Sequence, residues 1–172
     1  MNESPAPDEW LATATQRLSA DGFSVTRDVS FRGQGPFVVA HRSRFEWSKC
    51  GNLETFFVFG DVSPADTAAV RQFSSLAFEL ALERKSFPLP RGLFEGVFCY
   101  AVCSTGSLAG PTADALRSDT PTSHWAAVEM PVVRVRGSNA LSFFERTPAW
   151  GAFYWKGIRA QVNKYLAMSA GA

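Results

Sequence analysis

Between residues 23 and 31 the chain alternates, with Phe23, Val25, Arg27, Val29 and Phe31 on one side and Ser24, Thr26, Asp28 and Ser30 on the other. A period of two belongs to a strand with one buried face. "RGQGP" interrupts it, a second strand follows over about 37–48, and after the turn "KCGN" the stretch "LETFFVFG" returns as a third. Gly51 and Asn52 tolerate positive φ, so the three strands read as a meander. On either side the period lengthens. Trp10, Leu11, Ala14 and Leu18 recur at helical spacing behind Ser4, Pro5, Pro7 and Asp8, and the run stops at Gly22. Ser63 as N-cap, Pro64 in the first turn and Asp66 at N3 open a second helix, reaching about residue 85, whose stripe is Val70, Phe73, Ala77 and Leu80.

Further on, "VFCYAV" is apolar at every position, as a strand covered on both faces requires. The segment 104–123 reads as a loop with a short helix near 113–117. "WAAVEMPVVRVRG" and "LSFFER" then form a pair joined by "GSNA", with Pro131 demoting the first to an edge or bulged strand. Trp155, Ile158, Val162, Tyr165 and Leu166 make the inward stripe of a terminal helix. The pattern predicts a single α+β domain over residues 1–172. Its sheet is mainly antiparallel and twisted, with about five or six strands and three main helices, in the order helix, three strands, helix, strand, short helix, two strands, helix.

That order is similar to the beginning of two known architectures, the nuclease core of the restriction-endonuclease type and the bacterial secretion-chaperone type. The first would imply a metal-dependent hydrolase. Its motif is an acidic residue, a gap, then Asp or Glu, any residue, Lys; here Asp28 could be the first ligand, with Glu46 and Lys49 as carboxylate and lysine. "EWSK" spaces the last two by three, which on a regular strand puts them on opposite faces. Glu54 does not restore the motif, because Phe56 stands where the lysine belongs.

Composition narrows the choice. Lys and Arg number 17 against 16 acidic residues, a net charge of +1, so no global field draws the chain to nucleic acid. With 2 His and 3 Cys lacking short paired spacings, no zinc site is expected. "RGQGP" leads into a strand rather than a helix, so it is no phosphate loop, and no cofactor is predicted. Cys99 and Cys103 lie four apart on a strand, about 13 Å by strand rise, too far for a disulfide. Cys50 has no base that the sequence places beside it. "MNESPAPDEW" has neither the basic nor the apolar stretch of a secretory signal, and the reading is cytoplasmic.

The charged end of the second strand, Arg42, Arg44 and Glu46, is expected to be a solvated face pairing across to neighbours. The ends of the chain differ in charge: the first 21 residues hold four acidic residues against Arg17, whereas none follows Glu145. Trp150, Phe153, Tyr154, Trp155 and Arg159 therefore stand as interface candidates, with a homodimer as the simplest partner and a membrane surface as a secondary one. The function expected is a non-catalytic cytoplasmic protein that works by association, as an accessory or chaperone-like module; the alternative is the hydrolase using Asp28, Glu46 and Lys49.

Overall fold

The first helix is capped by Asp8, whose carboxylate accepts a hydrogen bond from the Trp10 amide at 3.1 Å. In the computed structural model, which describes residues 8–46, 51–86, 95–147 and 152–168, this helix is α1 (Glu9–Ala20). It leads into β1 (Ser24–Phe31), β2 (Gln34–Glu46) and β3 (Gly51–Asp61). Gly51 and Asn52 lie in β3, paired with Glu46 and Phe45 of β2, so these two residues are strand rather than the predicted turn. α2 (Thr67–Arg84) starts later than Ser63 and Pro64 suggest. Its cap is Asp66, which accepts from the Ala69 amide at 2.7 Å and sets a negative charge at the helix's positive end. β4 (Glu95–Thr105), α3 (Gly110–Ser118), β5 (Ser123–His124), β6 (Ala127–Val135), β7 (Ala140–Phe143) and α4 (Ala152–Leu166) follow.

The α+β class and the single sheet are as predicted, but the sheet has 7 strands and is mixed. Its order is β1-β2-β3-β4-β6-β5, with β7 also on β6. β1, β2 and β3 pair antiparallel, whereas β3–β4 and β4–β6 are parallel. The cause is the connections: α2 and α3 each carry the chain back along the sheet, so the next strand runs the same way. Alternation along one strand carries no information about its neighbour's direction.

Pro131 sits inside β6, opposite Ala101 of β4. On the outer side of β6, β5 pairs with Ala127 and Val128 and β7 with Val132 to Val135. The Glu129 amide points outward to the Thr122 carbonyl, and Pro131, two residues on, has the same orientation. Its missing N–H therefore falls in the gap between β5 and β7. The proline demands an edge, and the fold supplies one locally.

β3 and β4 are buried on both faces, as their apolar runs predict. Val70, Phe73 and Ala77 of α2 cover Phe56, Val58, Cys99 and Ala101. On the other face Trp10 and Leu18 of α1, with Ile158 and Val162 of α4, cover Phe57, Phe59, Tyr100 and Val102. Gly60 allows the first layer to close: a Cβ there would stand 2.7 Å from Phe73 Cε2 and 3.1 Å from Phe37 Cδ1. Cys99 and Cys103 are free thiols inside this core. Burial pushes both up, Cys103 to about 12, which removes them as nucleophiles at neutral pH. No helix among the described residues is long and apolar enough to cross a membrane.

Candidate functional site

Strand parity aligns three glutamates. Glu54 of β3 shares a face with Phe56 and Val58, Glu95 of β4 with Val97 and Cys99, and Glu129 of β6 with Ala127 and Val133. All three point to the α2 side and are buried. A carboxylate removed from water needs a partner, and each has its own. His41 of β2 bonds Glu54 through Nε2 while stacking on Phe56 at 4.2 Å. Lys85, just past α2, donates to Glu95 at 2.7 Å. His124 of β5 meets Glu129 at 2.6 Å and stacks on Phe78 at 4.5 Å. These pairs leave Glu54 Oε1 and Glu95 Oε1 buried without a hydrogen-bond donor. Among the described residues no three His, Cys, Asp or Glu side chains gather as a metal site.

Of the residues nominated from sequence for hydrolysis, Asp28 and Glu46 do not meet. Asp28 is exposed in an irregular part of β1, at φ 54°, between pairs that join Thr26 to Val39 and Val29 to Phe37. Glu46 ends β2 opposite Gly51. The seven steps from Val39 to Glu46 span about 23 Å of strand, so the two acids occupy opposite ends of the sheet. Lys49 lies outside the described residues.

Of the charged strand, Arg42 does not pair across to β3. Arg42 lays its guanidinium 4.3 Å from the Phe23 ring centre and donates to the Asp21 carbonyl at 2.9 Å, so it ties β2 to the α1–β1 turn. Arg44 is exposed. Asp21 also accepts hydrogen bonds from Lys164 and Tyr165, which hold its carboxyl below the ordinary range. The inward stripe of α4 is observed: Trp155, Ile158, Val162, Tyr165 and Leu166 are all buried. Trp155 is therefore core, not interface. Arg159 is spent on its own chain, donating to the Arg146 carbonyl at 2.7 Å and to Thr147 Oγ1 at 2.8 Å. Trp150 and the side chains of Phe153 and Tyr154 lie outside the described residues.

At the carboxyl ends of β3, β4 and β6 opens a cleft of about 1300 Å³, the place where parallel sheets commonly take ligands. Four of its five charged groups are tied to one another, and the fifth, Asp66, caps α2. Arg134, buried on β6, pairs with Asp8, donates from Nε and Nη2 to Asn139 Oδ1 at 3.0 and 2.8 Å, and stacks 4.5 Å from the Trp10 ring centre. Arg136 pairs with Asp61. Burial raises the Asp8 carboxyl, but the Arg134 bond and charge, with the amides of the first α1 turn, outweigh it and leave the group below its ordinary range. A depressed carboxyl stabilises the fold fully above its unfolded value, about 3.9, and loses that contribution as pH falls through the native one. Asp8→Asn keeps the cap and removes the charge. It is expected to cost about 1 kcal/mol at pH 7, discounted for a carboxylate one-third exposed, and nothing at strongly acid pH. Urea midpoints that stay apart at low pH would contradict this.

At the opposite end of the sheet two large apolar side chains face solvent. Phe45, 46% exposed, lies opposite Asn52, which is level with Glu95. Trp125, 78% exposed, occupies the β5–β6 turn beside Ala126 at φ 56°. The β2-to-β6 span that separates them is three strand spacings, about 14 Å.

Compared with known proteins, the chain matches no family profile, no curated protein and no solved structure. The likeness to the restriction-endonuclease-type core thus rests on the α-β-β-β-α-β order alone.

Proposed function

We propose that this chain is a non-catalytic accessory protein of the cytoplasm that acts by associating with a protein partner, through the sheet end carrying Trp125 and Phe45. The observation behind the reading is Trp125. An indole 78% exposed, on a two-residue turn that contains a non-glycine residue at positive φ, is a costly arrangement for a surface without a partner. Tryptophan is also the side chain most enriched among residues that dominate binding energy. Buried, unbridged Cys99 and Cys103 suit a reducing compartment. The hydrolase alternative loses support from the separation of Asp28 and Glu46.

Trp125→Ser is expected to leave folding stability within about 0.5 kcal/mol, since the indole packs on little. It should weaken association by about 30-fold or more, the loss of a central anchor. The measurement compares wild type and variant in concentration-dependent light scattering, and in quantitative capture from extract of the source cells. A self-association or stoichiometric partner lost in the variant supports the proposal. Unchanged association sinks it, as does a strict monomer with no stoichiometric partner.

A further inference from the structure

Between α2, the end of α3 and β6 lies a second cavity, of about 260 Å³, unrelated to the exposed aromatics. Glu129 forms its floor. One carboxylate oxygen, Oε1, is held by His124 at 2.6 Å. The other, Oε2, has only the hydroxyls of Ser74 and Ser75, at 3.4 and 3.5 Å, both long for an O–H donor. A buried carboxylate oxygen able to accept two hydrogen bonds is therefore left with two weak ones. The remaining wall supplies no better donor. Pro131 has no N–H, and Arg71, the cation at the mouth, is drawn to Asp119 at 3.2 Å. The threonine and serine hydroxyls around the cavity can turn their lone pairs inward.

We propose that this cavity binds a small primary ammonium compound, its head group donating to Glu129 Oε2 and to the hydroxyls of Ser74 and Ser75. An ammonium carries three donors and no acceptor, the complement of this lining, and its bond to a carboxylate is charge-assisted. His124 does not compete, because it occupies the other oxygen. The volume is below that of drug-sized sites, so the compound has few heavy atoms beyond its head group.

Ethanolammonium chloride is the probe, followed by amide chemical shifts on the full chain, with sodium chloride matching the ionic strength. Saturable shifts at Ser74, Ser75 and Thr122, in the millimolar range, are expected. Ethylene glycol, of nearly equal size and without the charge, should bind at least tenfold more weakly. Glu129→Gln should lose at least tenfold. Ser75 is exposed on α2, so Ser75→Leu should fold normally and abolish binding by filling the mouth while leaving the carboxylate intact. The idea fails on any of three results: no saturable shift up to about 100 mM, equal affinity for ethylene glycol, or undiminished binding by the leucine variant.

Discussion

His41→Ala is expected to lower folding stability by about 3 kcal/mol, the scale for leaving a buried charged group without its hydrogen-bond partner. Glu54 is wholly buried, and its Oε1 already has no donor. Taking away the imidazole leaves Oε2 in the same condition and removes the ring stacked at 4.2 Å on Phe56. Folding would then enclose a carboxyl group with neither water nor a hydrogen-bond partner. The double variant His41→Leu with Glu54→Leu separates this cost from loss of packing. Both polar partners are then gone, the parity of each strand is kept, and most of the lost stability should return. Urea unfolding of the two variants and wild type provides the comparison. A single variant within 1 kcal/mol of wild type, or a double variant worse than the single, would show that the pair is not what retains these residues.

Phe57→Ala should cost about 4 kcal/mol, within the range for aromatic truncation in a packed core. Phe57 is opposite Tyr100 in the parallel register, with the rings stacked at 4.3 Å. The ring also meets Phe23 at 5.7 Å and Tyr165 at 5.5 Å, both edge to face, so one side chain joins the α1–β1 connection, β3, β4 and α4. Tyr100→Phe is the control. Its hydroxyl reaches the Ile158 carbonyl only at 3.4 Å, so deletion should cost about 1 kcal/mol or less. If the two substitutions had similar effects, the hydroxyl rather than the stacked rings would anchor α4 to the sheet.

How far the site was legible varies residue by residue. "LETFFVF" shows Glu54 at the parity of Phe56 and Val58, and "AAVEMPVV" shows Glu129 at the parity of Ala127 and Val133. An acid on the apolar side of a strand is itself the signal of a buried, partnered carboxylate. A nuclease motif excludes Glu54 because Phe56 has no amine, yet the partner of Glu54 stands on the antiparallel neighbour, at His41. His41 and Glu54 are 13 residues apart, Lys85 and Glu95 are 10, and Arg134 and Asp8 are 126. Their pairing depends on register and on where α1 and α2 end. Trp125 carried no sign of exposure, because it follows a polar loop and precedes an apolar strand in either reading.

Apart from the cap of α2 and the two-residue β5, periodicity by itself determined where the long helices and strands lie, which strands are covered on both faces, and which stripe of α4 turns inward. Those are properties of a few residues and their immediate neighbours. Only the tertiary structure decided that β3, β4 and β6 run parallel, that Pro131 falls in the gap between two short strands, and that Asp28 and Glu46 stand at opposite ends. The helices reverse the chain between strands and the register chooses which residues meet, and both are settled by packing whole elements against one another rather than by any local pattern.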